Sequence, residues 1–257
     1  MIRLAISGAG GRMGRAILSL AQEMDVEITG ALDPAKRGMA ASLLSDYRKT
    51  ELVISDDPAL ALPGASVVID FSVPSATLAL VDYCEAAGTA MVIGVTGFTA
   101  AEEERLDRAA QKIALLRSPN MSLGVNWLFR LVGESARALG HYEVEITEAH
   151  HRYKKDSPSG TAVRLRDIIL ESRPDSHIIY GREGKDTART AGEVGIHALR
   201  GGDIVGEHTV YFIADGERIE LTHRATSRDT FARGALQAAI FLSGRPPGRY
   251  GMQDVLG

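Results

Sequence analysis

The chain has a single cysteine, Cys84, so no disulfide can form within it and a cysteine-based zinc site lacks its ligands. A reducing, cytoplasmic setting is the expectation. No run of about 18 consecutive apolar residues occurs, which leaves nothing to span a bilayer as a helix. The opening residues, MIRLAISGAGG, pass from a short apolar strand straight into glycines, without the long apolar core and small-residue cleavage site of a leader. Polybasic tracts are missing too, and 29 Lys+Arg stand against 33 Asp+Glu for a formal charge of −4, so neither a nucleic acid nor a membrane surface is an expected partner. Repeats and low-complexity linkers are absent. What is there is 257 residues, 45% hydrophobic and 24% charged, enough for one large or two modest domains with real cores. The expected partners are small molecules.

As far as residue 120, short β-branched runs alternate with helical patterns: 2–7, 26–33, 51–55, 66–72, 90–95 and 113–118 read as strands, and 14–24, 75–88 and 100–113 as helices, with Gly88 at a C-cap. That rhythm predicts parallel strands with crossovers, an α/β fold of the doubly wound, Rossmann-like kind. After it the pattern changes. A helix is expected over 122–140, a strand over 144–151, a helix over 159–172, strands over 192–202, 204–214 and 218–226 with a turn at Asp215-Gly216, and a last helix over 229–244. The second half is therefore expected to be an α+β domain with a mixed or antiparallel sheet.

Between the first strand and first helix lies Gly8-Ala9-Gly10-Gly11-Arg12-Met13-Gly14, where backbone N–H groups and the helix dipole can hold a pyrophosphate. Met13 breaks the strict G-x-G-x-x-G spacing, and Gly8, Gly11 and Gly14 form G-x-x-G-x-x-G instead; the competing reading is a glycine turn needed only for strand-to-helix packing. Asp33 closes the second strand, 33 − 8 = 25 residues after the first glycine, where a carboxylate accepts hydrogen bonds from the adenosine ribose hydroxyls. This favours NADH over NADPH, although Lys36 and Arg37 are close enough to offer a 2′-phosphate a cation. Gly94-Val95-Thr96 and Ser118-Pro119-Asn120-Met121 follow the fifth and sixth expected strands, at carboxyl ends where open α/β sheets bind ligands.

The densest polar constellation is Glu148 to Ala162, EAHHRYKKDSPSGTA. Strand alternation puts Val144, Ile146, Glu148 and His150 on one face and turns His151 to the other. Lys154 and Lys155 follow in a loop, and Ser159, Gly160 and Thr161 sit at a helix N-terminus whose free N–H groups can bind a carboxylate. So many cations beside a helix start repel one another unless an anion offsets them, so a polyanionic small molecule is expected there. A zinc site from Glu148, His150 and His151 is disfavoured because adjacent strand residues diverge, and no metal is expected.

At these residues the sequence resembles the dihydrodipicolinate reductase family, 4-hydroxy-tetrahydrodipicolinate reductases of bacterial and plant lysine synthesis. GAGGRMG (8–14), DFSVPS (70–75), GVTGF (94–98), NMSLGVN (120–126) and RGGDIVGEHTVYF (200–212) resemble further family blocks in the same order. The resemblance implies NAD(P)H-dependent reduction of a cyclic, unsaturated dicarboxylate to tetrahydrodipicolinate in the diaminopimelate route, by a homotetramer. It assigns acid/base work to His150, proton donation to Lys154, and the substrate carboxylates to His151, Ser159, Gly160 and Thr161. The cofactor falls to Gly8 through Met13, Asp33, Gly94 to Thr96 and Ser118 to Met121. Members favouring NADPH often carry a basic residue directly after the acidic one; here it is Pro34.

The expected division is a dinucleotide-binding domain of residues 1–121 completed by 231–257, and a substrate-binding and oligomerisation domain of 122–230. A cleft is expected between them, with hinges near 121–126 and 230–234. Two rival readings remain: another NAD(P)-dependent dehydrogenase of a small amino or hydroxy acid, and a non-catalytic dinucleotide sensor, since fold alone does not decide function.

Overall fold

The structure, a computed structural model, describes residues 1–47 and 51–257. In chain order its elements are β1 (Ile2–Ser7), α1 (Arg12–Ala21), β2 (Val26–Leu32), α2 (Pro58–Ala61), β3 (Val67–Asp70), α3 (Pro74–Ala87), β4 (Ala90–Ile93), α4 (Ala100–Ala110) and β5 (Ala114–Arg117). There follow α5 (Leu123–Ala138), β6 (Glu143–His150), α6 (Gly160–Ser172), β7 (His177–Tyr180), β8 (Glu193–Arg200), β9 (Gly206–Ala214) and β10 (Glu217–Ala225). The chain ends with α7 (Asp229–Leu242), β11 (Gly248–Tyr250) and α8 (Met252–Leu256). It packs as two units, Met1–Leu123 with Asp229–Gly257, and Gly124–Arg228.

In the first unit six parallel strands run in the order β11-β5-β4-β3-β1-β2. The order reverses at β1, whose neighbours are β2 on one side and β3 on the other; this is the switch point of a doubly wound sheet. Both faces are buried, which is why the strands read as unbroken apolar runs. Leu4, Ile6, Val67, Ile69, Val92 and Leu116 pack against α1 and α7 on one face. Ala5, Val68, Met91, Ile93 and Leu115 alternate with them and pack against α3 and α4 on the other. Local chemistry fixes the helix ends: Gly88 takes φ 67° at the α3 C-cap, and Thr99 and Glu102 form a reciprocal capping box at α4.

One expectation about this sheet is corrected, and one strand is added to it. The run 51–55 is not a strand: it meets the sheet edge by a single bridge, Ser55 to Leu32, and Val53 bridges Ala40. Its backbone is satisfied locally instead, Ile54 N donating to Met39 O at 2.9 Å and Ala41 N to Leu52 O at 2.8 Å. The sixth strand is β11, from the tail after Pro246-Pro247, which pairs with β5 in parallel.

The second unit is a five-stranded mixed sheet, β10-β9-β6-β8-β7. The pairs β10/β9 and β9/β6 are antiparallel, while β6/β8 and β8/β7 are parallel. The expected Asp215-Gly216 hairpin is present, with Gly216 at φ 84°. Helices α5 and α6 cover one face: Leu128, Val132, Leu165 and Ile169 pack on Val144, Ile146, Val194, Val210 and Phe212. The short strand β7 was not anticipated. Among the described residues no helix is long and apolar enough to cross a membrane.

Candidate active site

The carboxyl edge of the first sheet carries the residues expected to hold a nucleotide. Strand-like bonding continues just past the strand ends and keeps the connecting loops side by side: Gly8 N donates to Leu32 O (2.9 Å), Phe71 N to Ser7 O (3.1 Å), Gly94 N to Asp70 O (2.9 Å) and Ser118 N to Ile93 O (3.2 Å). Gly8 adopts φ +75°, and a Cβ on Gly14 would stand 2.3 Å from Gly8 O, so the turn between β1 and α1 closes only with glycine at both places. Gly11 caps α1 without any side-chain cap, and the first turn holds no acidic residue. The helix start is thus open to an anion.

Asp33 turns back on this loop, its Oδ2 accepting from Gly10 N at 2.9 Å and its Oδ1 from Ala35 N at 3.0 Å. Of the two nearby cations, Lys36 lies against Gly10, a Cβ on which would meet Lys36 Cγ at 2.4 Å, whereas Arg37 is drawn away to Asp56 at 2.9 Å. Ala9, Val95 and Met121 are core side chains, so only their backbones face this edge. Ser118 Oγ donates to Asn120 O at 2.7 Å and accepts from Asn120 N at 3.3 Å, which fixes the loop after β5. A glycine-built turn, a helix start open to an anion and a carboxylate beside them fit a dinucleotide.

In the second unit β6 places Val144, Ile146, Glu148 and His150 on its buried face. Glu148 is fully buried and collects four donors: His150 Nδ1 at 2.6 Å, Arg200 Nη1 and Nη2 at 2.8 Å each, and Ser159 N at 3.0 Å. Ser159 caps α6, accepting from Ala162 N at 3.2 Å, and its Oγ stands 3.0 Å from His208 Nε2. The His208 ring meets His150 edge to face at 5.2 Å. Lys154 is held by both oxygens of Asp156 at 2.9 Å. Arg152 and Lys155 are exposed, and so is Gly160 in the first turn of α6, with Thr161 beside it half-buried.

The cluster's charges are therefore partly answered from within the chain, Lys154 by Asp156 and Arg200 by Glu148, so its repulsion alone does not demand a ligand. Burial pushes Glu148 up, but the hydrogen bonds from His150, Arg200 and Ser159 N outweigh it and hold the carboxyl at about 2. Burial first, and then the charge of His150, holds His208 down at about 3. An unfolded chain protonates this imidazole near its ordinary 6.5, while the folded one does not. The stability that His208 contributes is thus complete above about pH 6.5 and is lost as pH falls toward 3. Urea unfolding between about pH 6.5 and 4.5, above the range of Glu148, is expected to show stability falling with pH by up to about 1.4 kcal/mol per unit from this group. His208→Gln flattens that slope; an unchanged slope refutes the assignment.

The structure brings His150 and Ser159 together through one carboxylate, and joins Lys154 to the same loop by its N–H to His151 O at 3.1 Å. Reasoning from sequence left Arg200 and His208 unassigned and gave Glu148 no role except in a discarded metal site. The signal is the sheet register, which pairs His150 with Arg200 and Glu148 with His208 across strands far apart in the chain.

A doubly wound nucleotide-binding sheet, joined in one chain to a unit that sets a histidine beside the Ser159-capped start of a helix, defines an NAD(P)-dependent oxidoreductase of a small molecule. Residues 2–121 match the family described as dihydrodipicolinate reductase, N-terminus, and residues 124–256 its C-terminus. The chain belongs to the dihydrodipicolinate reductase family. It is 47% identical over 265 residues to the 4-hydroxy-tetrahydrodipicolinate reductase of Syntrophotalea carbinolica, covering 100% of this chain and 99% of that one. To the enzyme of the same name from Myxococcus xanthus it is 45% identical over 266 residues, covering 100% and 98%. The dipicolinate-bound dihydrodipicolinate reductase from Paenisporosarcina sp. TG-14 shares its fold, with a TM-score of 0.81 at 23% identity over 99% of this chain and 98% of that one.

Proposed function

We propose that the chain reduces 4-hydroxy-tetrahydrodipicolinate, or the dihydrodipicolinate formed from it by loss of water, to tetrahydrodipicolinate in the diaminopimelate route to lysine. The full-length similarity to reductases of that name supports the activity. The observation that carries the chemistry is one buried carboxylate, Glu148, that joins a histidine to the residue capping a helix start.

When bound, the reduced nicotinamide supplies a hydride to C4 of the conjugated imine. Electron density then moves toward C3 and the ring nitrogen, and a positioned acid must meet it. His150 carries that proton at Nε2, and Lys154 donates to the same region once the substrate competes for its ammonium with Asp156. The backbone N–H groups of Gly160 and Thr161 at the start of α6 receive one substrate carboxylate, together with Ser159 and His151. The backbone at Gly8 to Met13, with Gly94 to Thr96 and Ser118 to Met121, holds the nucleotide.

NADH is the favoured cofactor, because the Asp33 carboxylate beside Gly10 suits ribose hydroxyls and repels a 2′-phosphate, while Lys36 at the same place keeps NADPH usable. Asp33→Asn, which keeps an acceptor for Gly10 N, is expected to raise the NADPH/NADH ratio of kcat/KM about tenfold, equivalent to about 1.4 kcal/mol. An unchanged ratio removes Asp33 from specificity. Homotetramer assembly and a cytoplasmic location are part of the same proposal; light scattering on a sizing column tests the assembly.

The decisive experiment is coupled turnover with enzymatically generated intermediate, run with each nucleotide in turn. Nucleotide oxidation that depends on the intermediate supports the proposal. Equal oxidation with a saturated oxo acid marks a dehydrogenase of another kind, and calorimetric binding of NADH without turnover marks a sensor.

A further inference from the structure

We propose that Glu148, clamped by Arg200, is the positioning residue of the acid: it keeps a proton on His150 Nδ1 and so makes Nε2 the nitrogen that exchanges a proton with substrate. The inference deepens the functional reading above and rests on His150 being the acid. Its basis is the way one carboxylate is shared. A buried carboxylate and a bidentate guanidinium already form a complete pair, yet here the same two oxygens also take His150 Nδ1 at 2.6 Å and Ser159 N at 3.0 Å. Arg200 is itself pinned, Nη1 donating to Leu199 O at 2.6 Å and Nη2 to Asp156 O at 2.9 Å, so the carboxylate cannot rotate away from the imidazole.

An ionised carboxylate only accepts, so Nδ1 has to be the donor. The opposite nitrogen is treated in the contrary way. Nε2 has no hydrogen-bond partner among the described residues, and the chain leaves room beside it: a Cβ on Gly206 would stand 3.1 Å from Nε2. The other groups facing His150 do not compete for its Nδ1. His208, from β9, is held neutral by burial and bonds to Ser159 instead. Its cross-strand neighbour His223, on β10, is likewise pushed down by burial. In the loop after β6, Lys154 and Asp156 satisfy each other. Once His150 has given up the Nε2 proton, the neutral ring is left as the Nδ1–H tautomer, which is the form the Glu148 carboxylate holds. The same carboxylate fixes the distance from this acid to the helix start, so one group positions both the proton and the anchor for a substrate carboxylate.

The first test does not depend on turnover. In unliganded wild-type protein labelled with 15N-histidine, and titrated until the His150 ring is neutral, the long-range spectrum is expected to show Nδ1 protonated and Nε2 bare. His150→Gln assigns the signal by removing it. A neutral ring protonated on Nε2 overturns the inference. Glu148→Gln, checked for folding by circular dichroism, is expected to lower kcat about 100-fold with the KM for NADH within about twofold of wild type. Wild-type kcat in a folded Glu148→Gln also overturns it. If that variant does not fold, the wild-type spectrum alone decides. Loss of wild-type turnover with the pathway intermediate sinks the functional reading, whereas normal turnover with the wrong tautomer sinks only this inference.

Discussion

His150→Gln is expected to lower kcat by at least about 100-fold, the usual range for removing a general acid, while calorimetry finds the Kd for NADH within about twofold of wild type. Glutamine matches the size of the ring and can still bond to Glu148, so the change tests the transferable proton rather than the packing. The two effects separate because the residues proposed to hold the nucleotide belong to one unit and His150 to the other. Wild-type turnover in this variant would take His150 out of the mechanism. Loss of turnover with an equal loss of NADH affinity would point to general disruption.

The second large effect belongs to the turn after β1. Gly14→Ala adds a Cβ that would stand 2.3 Å from Gly8 O, 2.6 Å from Ala9 Cα and 2.7 Å from Ala9 C. All three are backbone atoms, so no side chain can swing aside, and the loop itself must move. Overpacking of this kind costs about 1–3 kcal/mol, and because the displaced backbone is the proposed pyrophosphate cradle, NADH affinity is expected to fall about 10- to 100-fold. Calorimetric titration measures it. An NADH affinity equal to wild type would show that the turn serves strand-to-helix packing alone.

Much of the fold was legible because its signals are local. Alternation and helical periodicity located most of the strands and helices, Gly88 marked the end of α3, and Ser159 marked the start of α6. The run 51–55 misled because its composition is that of a strand, although only Ile54 is fully buried, Leu52 packs on the core in part and Val53 is 54% exposed. β11 escaped notice because its three residues, Gly248–Tyr250, carry no apolar alternation; the open edge of β5 makes them a strand. The candidate site divides in the same way. The glycine turn and the histidine-lysine segment are continuous in sequence and could be read there. The couplings of Glu148 to Arg200 and of Ser159 to His208 depend on strand register, which one sequence does not reveal.

The late arrival of β11 and α7 bears on how the protein is made. α7 supplies Ala232, Ala235, Leu236, Ala239 and Leu242, all fully buried, to the same core cluster as α1 and one face of the first sheet. On the ribosome, that oily face is synthesised first and its cover last, with the entire second unit translated in between. Until α7 emerges, α1 alone among these two helices lies on that face, so the core of the first unit is completed only after the whole second unit has been translated.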